Sequence, residues 1–158
     1  VMVGGEPDVF DRAQPILKAY AHSMLHMGDA GSGQLTKMVN QICAAGLIEA
    51  LAEGLNFGQC AGLDMEKVIA VIAKGAAQSW QMDNRAKTML DDKFDFGFAV
   101  KWMQKDLGIC FREAEKIGAR LPVTEQVDRL YGEITEAGGA RLDTSSLIRR
   151  LRKKTERA

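Results

Sequence analysis

Lys37 and Asn40 stand three residues apart, just after the glycine-rich run Gly28-Asp29-Ala30-Gly31-Ser32-Gly33. Residues three apart share one face of a helix. An amine, which can give or take a proton, and an amide, which can orient an oxygen, therefore point into the same space. Glycines such as Gly33 allow close approach, either of a ligand or of another stretch of backbone. A helix starting at that turn presents the positive end of its dipole, which favours an anion such as a carboxylate. On spacing alone, the plainer reading is an exposed lysine and asparagine at the start of a long helix. The glycines do not form a dinucleotide fingerprint. Thr36 occupies the position of the third glycine of G-x-G-x-x-G, and no strand–helix–strand unit follows.

A second group lies downstream in Phe98-Ala99-Val100-Lys101-Trp102-Met103-Gln104-Lys105-Asp106-Leu107. Taken alone, Lys105 and Asp106 are a solvated pair on a helix, and Phe98 is a core residue. No metal centre is expected. His22 and His26 are four apart but sit in a stretch that reads as strand, without a third ligand nearby.

Those groups need elements to hold them. Residues 1–3 and 23–27 read as short strands, and 8–20 reads as a helix that begins or bends at Pro15. This is a strand–helix–strand unit that cannot bury both of its faces alone, so it is expected to be the tail of a larger α/β domain. With its sheet missing, its strands are expected to be disordered or paired with a neighbouring copy. The start at Val1 is expected to be a truncation. From Ser32 the pattern turns helical to about Cys60 without a proline, a rod of roughly 40 Å. Between 42 and 51 it is apolar almost all round apart from Glu49, as in a helix buried on most sides. Further helices are predicted over 65–73 with Asp64 as cap, over 99–117 ended by Gly118, and over 125–137 capped by Thr124. One or two shorter turns are expected over 79–90, a loop over 91–97, and a last helix begun by Asp143 that runs into a basic tail over 149–157. The fold class is thus mainly α. A multi-helix bundle over 31–158 is preceded by a short α/β remnant over 1–30.

Composition agrees with a globular chain: 46% hydrophobic and 27% charged residues. Twenty-one basic and twenty-one acidic side chains cancel, which gives no electrostatic reason to expect a nucleic-acid partner. No apolar run is long enough to span a bilayer. Cys43, Cys60 and Cys110 are odd in number and widely spaced. They read as reduced thiols of a cytoplasmic protein. The basic end, with Arg149, Arg150, Arg152, Lys153 and Lys154, reads as a solvated tail that suits the negative end of a helix.

The string Gly31-x-Gly33-x-x-x-Lys37-x-x-Asn40-Gln41 resembles the catalytic-lysine motif of the β-hydroxyacid dehydrogenases, of the 3-hydroxyisobutyrate dehydrogenase and tartronate-semialdehyde reductase type. Phe98 with Lys105-Asp106-Leu107 looks like a second block of that family, and Leu121-Pro122 and Leu142-Asp143 resemble it too. The similarity covers essentially the whole chain and matches the C-terminal portion of the family. It implies a bundle like the C-terminal part of 6-phosphogluconate dehydrogenase after the remnant of a Rossmann domain. It further implies hydride transfer between a β-hydroxyacid and NAD or NADP, with Lys37 as the catalytic acid–base. Gly33 and either Asn40 or Gln41 would contact the small hydroxyacid substrate. Phe98, Lys105 and Asp106 would lie at the cofactor. A homo-oligomer formed through the long helix is expected, and no membrane partner. The 158 residues alone are expected to fold but to bind NAD(P) weakly or not at all and to be inactive. The competing readings are a non-catalytic dimerisation or interaction module derived from the family, and a 6-phosphogluconate type of dehydrogenase. Retention of Lys37, Asn40 and Lys105 favours the enzyme, and the chain length favours the smaller dehydrogenases.

Overall fold

The computed structural model describes residues 1–152, so Lys153, Lys154 and Arg157 of the basic tail lie outside the described residues. The chain divides into two compact units, Val1–Gln41 and Ile42–Ala158. Its elements are β1 (Met2–Val3), α1 (Pro7–Leu17), β2 (Leu25–His26), α2 (Ser32–Cys60), α3 (Met65–Ile72), α4 (Trp80–Leu90), α5 (Val100–Ile117) and α6 (Pro122–Ile134). A π-helical turn, Thr135–Gly139, and a 3-10 helix, Thr144–Leu151, complete them. The architecture is mainly α with a short two-stranded sheet, as the sequence pattern predicted.

In the first unit β1 and β2 pair with each other in parallel, Met2 opposite Leu25 and Val3 opposite His26. This corrects the expectation of unpaired or intermolecularly paired strands. The α1 crossover brings the two ends side by side, and the ladder continues through Leu25 N–H to Val1 and Met27 N–H to Val3. Both strands are shorter than the runs 1–3 and 23–27. Pro15 neither starts nor ends α1. The helix opens at Pro7, where a missing N–H costs nothing, and carries Pro15 inside it.

The second unit has the core. Ala45, Ile48, Ala52 and Leu55 recur along one face of α2. Met82, Ala86 and Met89 do so on α4, Val100, Met103 and Leu107 on α5, and Val127, Tyr131 and Ile134 on α6. Phe94, Leu147 and Ile148 close it. Full burial of a leucine or phenylalanine contributes about 1.5–3 kcal/mol, so each large member of this set stabilises the unit. Glu49, the one charge in the apolar run, is buried and paired with Arg150 of the 3-10 helix. Burial pushes its carboxyl above the ordinary value, with Arg150 pulling the other way.

Three local expectations shift. Residues 79–90 form one helix capped by Ser79, whose hydroxyl accepts from Met82 N–H. Thr124 is not a cap; α6 starts at Pro122 after Leu121, and Thr124 is buried. The helix expected to reach 137 stops at Ile134 and opens into the π turn, because Gly138 takes φ +85°.

Candidate functional site

The predicted site residues fall in both units. In the first, Gly28 and Gly31 adopt φ +115° and +100°, a conformation that other residues rarely tolerate, and turn the chain into α2. Asp29 C=O accepts from Ser32 N–H, and Gly31 C=O accepts from Leu35 N–H, which fixes the first turn. Gly33 is buried and packs backbone to backbone against β1. A Cβ there would lie 2.6 Å from Met2 O and 3.0 Å from Gly4 N. A Cβ on Gly4 would in turn meet Asp29 O at 2.6 Å and Gly33 N at 3.0 Å. Of the two uses of glycine weighed for Gly33, the structure displays the approach of another backbone.

Lys37 stands one turn beyond Gly33 and is exposed. Its Nζ donates to Gln41 Oε1 at 2.6 Å, and Asn40 Nδ2 donates to the same oxygen at 2.8 Å. All three predicted polar residues are thus brought together, with Gln41 at the centre. Gln41 is buried and its carbonyl already serves two donors, whereas Asn40 is exposed. Beside them is an open recess of about 550 Å³ lined by Met2, Val3, Gly4, Gly33, Gln34 and Lys37.

In the second unit, Phe98 precedes α5 and is 38% exposed, so it is a surface ring and not the core residue that composition alone suggests. Lys105 Nζ pairs with Asp106 Oδ1 at 2.7 Å, the lysine 56% exposed and the aspartate 16%. Phe98, just ahead of α5, thus offers an exposed ring, and Lys105 of α5 carries a cation held by Asp106. Among the described residues no group of three histidine, cysteine or acidic side chains could hold a metal ion. His26 instead bonds Gly5 O at 2.6 Å and packs on Phe10.

The family described as NAD-binding of NADP-dependent 3-hydroxyisobutyrate dehydrogenase matches residues 31–151. The chain belongs to this family. It is 56% identical over 153 residues to an uncharacterized oxidoreductase of Shewanella frigidimarina, covering 97% of this chain and 53% of that protein. It is 33% identical over 151 residues to 2-hydroxy-3-oxopropionate reductase of Escherichia coli, covering 96% and 52%. Among solved structures, 3-hydroxyisobutyrate dehydrogenase of Mycobacterium tuberculosis with L-serine superposes with a TM-score of 0.87 at 29% identity, over 96% of this chain and 54% of that one. The chain spans about half the length of the curated relatives it matches.

Within this 3-hydroxyisobutyrate dehydrogenase family member, sequence reasoning passed over one cluster. Arg85 of α4 and Asp143 ahead of the 3-10 helix form a buried ion pair, 3.0 Å between Nε and Oδ1. The guanidinium lies 5.0 Å from the ring centroids of both Trp80 and Phe96. Asp143 was noted as a helix starter, and its side chain does accept from Ser145 N–H. Nothing in the sequence links Arg85 to it, since 58 residues separate the two.

Proposed function

We propose that the whole protein containing this chain is an NAD(P)-dependent oxidoreductase that interconverts a β-hydroxyacid with its semialdehyde or keto form. The observation that carries this reading is the Lys37–Gln41–Asn40 constellation at a glycine-built helix start, in a member of this dehydrogenase family. Lys37 Nζ takes the proton of the substrate hydroxyl in oxidation and returns it in reduction. Gln41 accepts from Lys37 and holds the amine in place. Asn40, exposed beside it, contacts the substrate oxygen or carboxylate. Gly33 acts by letting α2 start against β1, so that the recess beside Lys37 stays open. Phe98, Lys105 and Asp106 would hold the cofactor: the ring would pack on it, the ammonium would face its charge, and Asp106 orients Lys105. A bound nicotinamide cofactor would supply the hydride acceptor or donor for the carbinol carbon.

Residues 1–30 belong, in this reading, to the end of a nucleotide-binding domain, and 31–158 to the helical substrate and dimerisation domain. The sequence contains no G-x-G-x-x-G, so the 158 residues by themselves hold the cofactor weakly and do not turn over. We place the protein in the cytoplasm, where thiols such as those of Cys43, Cys60 and Cys110 stay reduced. No helix among the described residues is long and apolar enough to cross a membrane.

The partner proposed for α2 is a second copy of the chain. Along its outer side Cys43, Leu47, Ala50, Gly54 and Phe57 are exposed at helical spacing, with Phe57 74% exposed. A groove of about 360 Å³ opens beside them, lined by Leu47, Ala50, Gly54, Met65 and Val68. Sedimentation is expected to give a dimer or larger; a monomer at every concentration would remove this proposal.

The functional test is a panel of short β-hydroxyacids, oxidised by the whole protein with NAD⁺ and with NADP⁺. Turnover of at least one 3-hydroxyacid is expected. The Lys37→Arg variant should be poor, because guanidinium keeps its proton at neutral pH. Absence of turnover across the panel, or a fully active Lys37→Arg, contradicts the reading.

A further inference from the structure

Helix α5 starts in an unusual way. Its N-cap residue is Ala99, which has no side-chain acceptor for the free N–H groups of the first turn. The acceptors come from a segment 40 residues later: Val100 N–H donates to Leu142 O at 2.9 Å and Lys101 N–H to Ala140 O at 3.0 Å. Just ahead, Phe98 is tied to Asp143 and to Thr144, once as donor and once as acceptor. Phe98 N–H donates to Asp143 Oδ2 at 2.9 Å, and Thr144 N–H donates to Phe98 O at 2.9 Å. The other carboxylate oxygen, Oδ1, accepts from Arg85 Nε at 3.0 Å, Ser145 N–H at 3.1 Å and Ser145 Oγ at 2.5 Å. Asp143 is fully buried, so these bonds act away from water. Gly97 makes the approach possible. It takes φ +72°, and a Cβ there would lie 2.0 Å from Oδ2.

From this geometry we infer that Asp143, held by Arg85 and Ser145, is a positioning residue that fixes the backbone of Phe98 and thereby aims its ring at the nicotinamide cofactor. The inference rests on the reading of Phe98 as part of the cofactor site. The two oxygens have separate duties: Oδ1 anchors the carboxylate to the fold, and Oδ2 reaches the functional residue. An asparagine keeps one acceptor oxygen and replaces the other with a donor. Three donors face Oδ1 and one faces Oδ2, so the amide nitrogen settles toward Phe98, donor against donor. Asp143→Asn thus breaks the link to Phe98 while keeping the anchor.

The test uses the whole protein, with Kd for NADH and NADPH by calorimetric titration alongside cofactor KM and kcat, measured for Asp143→Asn, Ser145→Ala, Phe98→Ala and the Asp143→Asn/Phe98→Ala double variant; Kd is expected to follow KM. Asp143→Asn should raise cofactor KM about tenfold and change kcat at saturating cofactor less than about twofold. The double variant should be no worse than Phe98→Ala alone, because residues acting through one another are not additive. Ser145→Ala, a smaller perturbation, should raise cofactor KM roughly two- to threefold. A folded Asp143→Asn with unchanged cofactor KM, or effects that multiply in the double variant, overturns the inference. If Asp143→Asn does not fold, Ser145→Ala decides, and an unchanged KM there overturns it. If Phe98→Ala itself leaves cofactor KM unchanged, the cofactor reading of Phe98 fails and the positioning role falls with it. If Phe98→Ala weakens the cofactor while Asp143→Asn does not, only the positioning role fails.

Discussion

The two units divide their duties unequally. Among the described residues of Val1–Gln41 just Gly33 and Gln41 are buried, and α1 buries none. That unit nonetheless carries Lys37. Ile42–Ala158 holds the hydrophobic core, the buried Arg85–Asp143 and Arg150–Glu49 pairs, and the residues proposed for the cofactor. The contrast teaches that the group proposed for proton transfer is placed by backbone geometry, a glycine turn and one amide, and not by dense side-chain packing. Chemistry and stability should then respond to different substitutions.

The sharpest way to break that contrast is a pair of alanine variants in the whole protein. Lys37→Ala is expected to lower kcat by about 10²–10⁴-fold, the usual size of an acid–base contribution, with an unchanged Tm. Leu107→Ala, at a fully buried α5 position, is expected to cost about 2–5 kcal/mol of stability and leave kcat of the folded fraction near wild type. Parallel thermal melts and steady-state kinetics check both. A large fall in Tm for Lys37→Ala would mean that the first unit depends on that side chain for its fold.

Gln41→Ala sharpens the comparison within the first unit. It removes the acceptor shared by Lys37 and Asn40. A fall in kcat of roughly tenfold is expected, smaller than for Lys37→Ala, because the amine remains but is less well placed. If Gln41→Ala raises substrate KM alone, Gln41 is the substrate contact in place of Asn40.

The smallest effect lies in the second unit. Asp128 on α6 has a buried Oδ1 without a hydrogen-bond partner, and burial holds its carboxyl above the ordinary value of 3.8. The folded state therefore binds the proton more tightly than the unfolded chain. Its contribution to stability is complete below 3.8 and is lost as pH rises through the higher folded value. Asp128→Asn should raise Tm by about 1–2 °C at neutral pH, with the gain disappearing in acid. A gain that persists below pH 3.8 would assign the effect to something other than the charge.

Much of this was readable in the residues. The glycine turn, the span of α2 from Ser32 to Cys60 and the Asp64 cap follow from local rules: backbone freedom, apolar periodicity and capping chemistry act within a few residues. The grouping of Lys37 with Asn40 follows from helical spacing, whereas Gln41 enters through the family resemblance. Thr124 departs from the capping expectation because a threonine near a helix start has the same local signature whether it caps or is buried.

What only the tertiary structure decided are the pairings between distant residues. The sequence allowed Gly33 to meet a ligand or a backbone; the pairing of β1 with β2 brought Met2 against it and made the second choice. Asn40 and Gln41 were equivalent as amides until one was buried and the other left exposed. Arg85, Gly97, Phe98 and Asp143 show no shared pattern along the chain, because a buried charge is stable only where partners from several elements converge on it. Periodicity reports which face of a helix turns inward. It does not report which side chain from another helix will be waiting there.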